Sequence, residues 1–181
     1  GKIVTALFGA TTPRTAGFNT VDMTLLSYPT VIMMLLLMWI GASPSSTGGG
    51  IKTSTFAVAT LNILSLAKGK TRVEIFRREI ADITIRRSFA IISLSLIVIG
   101  MGIMLISIFD EELSLKDIAF EVFSAFGTVG LSLGITAKLS SMSKIVLIVV
   151  MFIGRVNMLT LVIAIFKKEK RKNYRYPTEE I

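Results

Sequence analysis

From Ser27 to Lys68 the chain is apolar nearly throughout, apart from one interruption, GASPSSTGGGIKTS, at Gly41 to Ser54. As a single helix this run would be about 60 Å long at 1.5 Å per residue, twice the hydrocarbon thickness of a bilayer. It cannot be a simple span. Pro44 lacks the amide a helix needs, and Gly48, Gly49 and Gly50 favour turns. The run therefore reads as two helical pieces, Tyr28 to Ile40 and Ile51 to Leu66, with non-helical backbone between them.

The rest of the chain agrees with lipid as its solvent. Of its 181 residues 52% are hydrophobic and only 18% are charged, with a mean hydropathy of +0.71, more apolar than an average soluble domain. Cys and His are both absent, which removes thiol, zinc and imidazole chemistry and leaves little basis for an enzyme. The first residue is Gly1, and neither an initiator Met nor a targeting segment precedes it, so a fragment of a longer protein is expected.

The net charge of +8 is concentrated in two clusters, Lys68, Lys70, Arg72, Arg77, Arg78, Arg86 and Arg87, then Lys167, Lys168, Lys170, Arg171, Lys172 and Arg175. Each flanks a long apolar run, and the first lacks interleaved aromatics for base stacking. They predict membrane flanks on the cytoplasmic side rather than a nucleic-acid surface. Ser88 to Phe109 is long enough to cross a bilayer. An acidic connection, DEELSLKD, then lies on the outer side. Ile118 to Phe126 has half the needed length and ends in GTVGLSLG, a pattern for entering the membrane and turning back. Ser143 to Phe166 returns to the basic tail. The beginning of the chain has the same order: Ile3 to Phe8, then GATTPRTAGFNT, then the interrupted run.

A shift of 113 residues, the separation of Thr15 from Thr128, aligns the two halves without a gap. Thr15-Ala16-Gly17 falls on Thr128-Val129-Gly130, Ser27 on Ser140, and Met38-Trp39-Ile40-Gly41 on Met151-Phe152-Ile153-Gly154. Chance agreement of apolar residues matches Ile with Leu easily, but keeps both glycines and a four-residue block in one frame much less easily.

The interrupted loop is not a phosphate cradle. A Walker loop places Lys directly after its last Gly and follows a strand, whereas Ile51 separates Gly50 from Lys52 and the loop follows an apolar helix. A slack tether also fits poorly inside an apolar run. Non-helical backbone at membrane depth is tolerated where it lines a watery cavity or is covered by protein, so Ala42 to Gly50 reads as a hinge or plug in a permeation path. TVGLS, Thr128 to Ser132, resembles the TVGYG filter of potassium channels, in which carbonyl oxygens replace an ion's hydration shell. TAGFN, Thr15 to Asn19, is its counterpart. Each follows a half-length helix whose negative C-terminal end would favour a cation. Arg155 lies deep in the last span, costs about 2.5 to 3.5 kcal/mol there, and needs a partner. The repeat frame sets it on Ala42, which suggests the carbonyls or hydroxyls of Ser43, Ser45, Ser46 and Thr47. A structural arginine pinning two helices and a charge opposing cation passage are both open readings.

On TPRTAGFNT (Thr12 to Thr20), GASPSSTGGGIKT (Gly41 to Thr53), FGTVGLS (Phe126 to Ser132) and Gly154-Arg155, the chain resembles the Trk/Ktr/HKT superfamily of potassium and sodium uptake proteins. The resemblance implies an all-α membrane protein, a pore of four joined units, each with outer helix, reentrant pore helix, filter loop and inner helix. This chain would be the C-terminal half: residues 1–69 the end of unit three with its broken inner helix, 70–87 a cytoplasmic basic connector, 88–167 unit four, 168–181 a cytoplasmic tail.

The resemblance implies filter residues at Thr15, Ala16, Gly17, Phe18 and Asn19 and at Thr128, Val129, Gly130, Leu131 and Ser132, with K+ bound there as the transported ion and no covalent cofactor. It implies a gate at Ala42, Ser43, Pro44, Ser45, Ser46, Thr47, Gly48, Gly49 and Gly50, faced by Arg155. Val156-Asn157-Met158 departs from the glycine and proline usual after that arginine. Location in the inner (cytoplasmic) membrane, a homodimer and a cytosolic nucleotide-binding ring are further implications. Sodium selectivity within the same family, a non-conducting membrane anchor and a soluble nucleotide-binding protein are the alternatives.

Overall fold

The computed structural model describes residues 1–70, 72–75 and 78–156. Arg77, the basic cluster at 167–175 and the end of the last apolar span lie outside the described residues, as do Asn157 and Met158. The order is α1 (Lys2–Thr11), a 3-10 turn (Met23–Leu25), α2 (Tyr28–Trp39), α3 (Thr53–Ala67), a ribbon of β1 (Glu74–Ile75) and β2 (Arg78–Glu79), α4 (Asp82–Phe109), α5 (Leu115–Phe126) and α6 (Ser141–Val156).

Helix lengths follow the hydropathy pattern with small adjustments. α4 starts at Asp82, with Asp82 in its first turn, where a negative charge suits the helix dipole. Arg86 and Arg87, assigned from sequence to the connector, are therefore helical. The connector itself is not all-α: β1 and β2 pair antiparallel, Glu74 opposite Glu79 and Ile75 opposite Arg78. The 28 residues of α4 reach about 42 Å at 1.5 Å per residue, enough to cross about 30 Å of hydrocarbon. α2 with 12 residues and α3 with 15 are each too short to do so. Together they are long enough.

α5 is the centre of the fold. It packs against α6, α4 and α2, and α4 also packs against α6 and α3. Ile118, Val122, Ala125 and Phe126 enter a core shared with Val98, Ile99 and Ile106 of α4 and Leu147 and Val150 of α6. On another side, Phe120 enters a second core with Val31, Met34 and Met38 of α2. Gly102 lets these helices close up, since an added Cβ would lie 3.1 Å from Val122 and 3.3 Å from Val150. The opposite side of α4 is also apolar but exposed, at Leu96, Ile97, Met101, Met104 and Ile108. A helix apolar all round and buried on one side only has its other side suited to lipid or protein.

The sequence repeat is a structural repeat. The same 113-residue shift carries Lys2, the first residue of α1, onto Leu115, the first of α5, and Tyr28, the first of α2, onto Ser141, the first of α6. Surroundings differ: α1 has no buried residue, whereas α5 buries seven.

Candidate functional site

Both short helices, α1 and α5, run into a Thr-x-Gly loop with unusual backbone. Thr15 has φ 64° and Thr128 φ 50°, the only positive values for residues other than glycine among the described residues; Gly17 has φ 71° and Gly130 φ 90°. A β-branched residue in the left-handed region costs on the order of 1–3 kcal/mol and persists only where its surroundings impose it. Here the same costly conformation occurs twice in one frame.

The two loops meet. A Cβ on Gly17 would overlap the Val129 carbonyl oxygen, so glycine is required there both by φ and by space. The Thr15 hydroxyl donates to the Gly127 carbonyl at 3.2 Å. The Thr128 hydroxyl is buried and has no hydrogen-bond partner among the described residues. Phe18 and Leu131 are equivalent in the repeat but differ in burial, with Phe18 70% exposed and Leu131 2%, because α2 packs beside the second loop. Ala16, Asn19 and Gly130 are exposed; Val129 is buried and Ser132 half-buried.

Residues 40–52, between α2 and α3, form the third element of the site. Ile40 and Ile51 form a parallel bridge, with Gly41 N–H donating to the Ile51 carbonyl at 2.8 Å and Ile51 N–H to that of Trp39 at 3.1 Å. Parallel pairing means that the chain resumes after the loop in the direction it had before it. Trp39 holds the junction, with its indole N–H on Ser95 Oγ of α4 at 3.0 Å and its ring edge-on to Phe56 of α3. Ser43, Pro44, Ser45, Ser46 and Thr47 are exposed, Ala42 and Gly50 half-buried, and Gly48 and Gly49 buried. The buried pair lies against the Thr-x-Gly loops: a Cβ on Gly48 would be 3.0 Å from Thr15 Oγ1, and one on Gly49 2.5 Å from Thr128 Oγ1. All three loops share one place.

Arg155 is the exception. It is exposed, and among the described residues no hydrogen bond joins it to Ser43, Ser45, Ser46 or Thr47. Lys52 takes the role expected of it, donating from Nζ to the Ser46 carbonyl at 2.9 Å and to the Gly48 carbonyl at 2.6 Å. Lys52 reaches the loop from only a few residues away, whereas Arg155 projects from a helix turn whose close contact with α5 is made by its neighbour. That neighbour, Gly154, is buried, and a Cβ there would overlap the Phe126 carbonyl. Its repeat partner Gly41 has the same relation to the Gly49 carbonyl.

A lysine in an apolar run, as Lys52 is, is itself a sequence signal for such a role. Glu121, an acidic residue in the apolar half-helix, is another such signal. It is buried and accepts hydrogen bonds from Ser132 and Thr136. An apolar cavity of about 700 Å³ lies between α1, Phe18, Met23 and α2.

At the other end of the helices, Asp110 closes α4 onto α6. Its carboxylate accepts from Ser140 N–H at 3.1 Å and Ser140 Oγ at 3.1 Å. The Ser143 hydroxyl, then the Ser140 amide and hydroxyl, hold its pKa below the ordinary 3.8 against a partial desolvation.

The fold is shared with a helical transporter: the crystal structure of the potassium transporter TrkH from Vibrio parahaemolyticus matches with a TM-score of 0.72 at 22% identity, over 89% of this chain and 36% of that one. The chain belongs to the TrkH family of cation transport proteins, whose model matches residues 1–176. It is 44% identical over 176 residues to Ktr system potassium uptake protein D of Bacillus subtilis, covering 97% of this chain and 39% of that protein. It is 42% identical over 180 residues to Ktr system potassium uptake protein B of the same organism, covering 99% and 40%. Over 185 residues it is 38% identical to the potassium/sodium uptake protein NtpJ of Enterococcus hirae, covering 99% and 41%. The chain thus spans about two fifths of the length of these relatives.

Proposed function

We propose that this chain is the C-terminal half of a pore-forming protein that takes up potassium across the cytoplasmic membrane. Thr15 to Asn19 and Thr128 to Ser132 are two of the carbonyl-lined filter segments, Ala42 to Gly50 is the gate beneath them, and Arg155 adds a positive charge on the exit side. In this reading α1 and α5 are reentrant pore helices, α2 and α3 are one inner helix broken at membrane depth, and α4 and α6 are the outer and inner helices of the last unit. Residues 1–69 and 88–167 are then the two pore units. The basic segments 68–87 and 167–175 face the cytoplasm, where they suit a nucleotide-binding regulatory ring, and the assembly is a homodimer.

The observation that carries this reading is the duplicated left-handed Thr-x-Gly backbone, its two copies in contact and Gly48-Gly49 against both. Left-handed residues alternating along a short loop turn successive carbonyls to one side, which regular secondary structure does not do. A row of such oxygens replaces the water around a monovalent cation. The carboxyl ends of α1 and α5 adjoin the loops, so their dipoles add negative potential at that point. The buried Thr128 hydroxyl, without a partner among the described residues, is a further oxygen of the kind a cation recruits.

Potassium is preferred to sodium because relatives at 44% and 42% identity are potassium uptake proteins by name. The potassium/sodium protein at 38% makes sodium passage the second reading. The full-length protein in liposomes should take up rubidium, as a potassium tracer, in preference to sodium. Gly130→Ser, which puts a side chain on a backbone of φ 90°, should weaken that preference. Equal rubidium and sodium uptake by the wild type would overturn the potassium preference in favour of the sodium reading, and an unchanged ratio in the variant would overturn the filter assignment.

A further inference from the structure

Glu121 is the only acidic or basic side chain buried among the described residues, at 6% exposure. A carboxyl group withdrawn from water is tolerated only with hydrogen-bond partners. Both of its partners belong to the segment that follows Gly130. Its Oε1 accepts from the Ser132 hydroxyl and from the Thr136 hydroxyl at 2.8 Å. The Gly134 amide in turn donates to Ser132 Oγ at 2.9 Å. Gly130 and Gly134, with φ 90° and 87°, bracket this turn, and Leu131, Leu133 and Ile135 anchor it by burial.

Apolar anchors fix where such a turn sits but are indifferent to its rotation. A directional bond from a rigid helix fixes that as well. The first loop has no such device: the repeat shift carries Glu121, Ser132 and Thr136 onto Phe8, Asn19 and Met23. There the buried Thr12 hydroxyl holds the Phe18 carbonyl instead, at 2.7 Å.

We propose that Glu121 is a positioning residue for the second filter loop: from within α5 it holds Ser132 and Thr136, fixes the rotation of the Gly130 to Ser132 backbone, and thereby sets the preference for potassium over sodium. This rests on the reading of that loop as a filter, and it makes the two loops unequal contributors to selectivity.

The test uses the full-length protein in liposomes and measures rubidium against sodium uptake, with deuterium exchange of residues 128–136 measured separately in detergent. Glu121→Met keeps the length of the side chain but removes the oxygen that accepts both hydrogen bonds. It should lower the rubidium-to-sodium ratio at least fivefold and raise exchange in the segment. Thr136→Val, at an exposed residue outside the filter, should shift both in the same direction by less, and the double variant should match Glu121→Met alone. An unchanged ratio in Glu121→Met, or additive effects in the double variant, would overturn the selectivity role. Unchanged exchange would overturn the anchoring itself. If the wild type passes neither ion, the filter reading falls and the ion-selectivity role falls with it, while the exchange comparison still decides whether Glu121 holds the turn. Should Glu121→Met not fold, Thr136→Val decides alone.

Discussion

Gly17→Ala and Gly130→Ala make the same chemical change at equivalent places in the repeat, yet the structure assigns them different costs. Both glycines have positive φ, 71° and 90°, and each alanine would carry about 1–2 kcal/mol for a left-handed backbone. At Gly17 the new methyl would also overlap the Val129 carbonyl and lie 3.3 Å from its carbon. These are backbone atoms with little freedom to yield, and overpacking of this kind costs about 1–3 kcal/mol more. At Gly130 the new methyl would meet no heavy atom of the described residues within 4 Å apart from its chain neighbours. The expected totals are therefore about 2–5 kcal/mol for Gly17→Ala and about 1–2 kcal/mol for Gly130→Ala. Large membrane proteins seldom unfold reversibly, so the order of thermal inactivation is the appropriate measure. Full-length protein in detergent, heated in steps and scored for folded protein by size exclusion, should lose Gly17→Ala first and Gly130→Ala later. Gly130→Ala falling at or below the temperature of Gly17→Ala would refute the claim that the two loops pack backbone to backbone.

Three further outcomes are expected. Lys52→Met removes both bonds to the Ser46 and Gly48 carbonyls and should raise rubidium flux several-fold in the liposome assay if the loop is a gate; an equal or lower flux would exclude Lys52 as its fastening. Gly154→Ala drives a methyl into the Phe126 carbonyl and should cost about 1–3 kcal/mol by overpacking, seen as earlier thermal loss; a neutral result would mean that α6 does not touch the end of α5. The lowered pKa of Asp110 contributes stability that is fully present above 3.8 and is lost as pH falls through the folded value. Asp110→Asn should therefore flatten the fall in thermal stability below about pH 4, leaving the part due to Asp22, which is lowered likewise, by the Thr24 hydroxyl first.

The places where helices stop were legible in the chain itself because they depend on neighbours in sequence. Pro44 and the three glycines end α2 and delay α3, and the start of each repeated helix falls where the shift places it. The Thr-x-Gly pairs were legible for the same reason, each glycine marking a local backbone need. What joins them was not: Gly17 touches Val129, Gly49 touches Thr128, and Thr15 bonds Gly127 across 112 residues of chain. Arg155 shows the limit clearly, since repeat position suggested the loop as its partner and Lys52 bonds that loop instead.

Sequence determined the hydrophobic spans, their interruptions and the doubled motif, since each follows from backbone freedom and from the length of an apolar run. Only tertiary structure decided that one copy of the loop is anchored by a buried Leu131 and held by a carboxyl while the other stands exposed at Phe18. Helix propensity and glycine chemistry act within a few residues, whereas burial and hydrogen-bond pairing depend on which distant segments come to lie alongside.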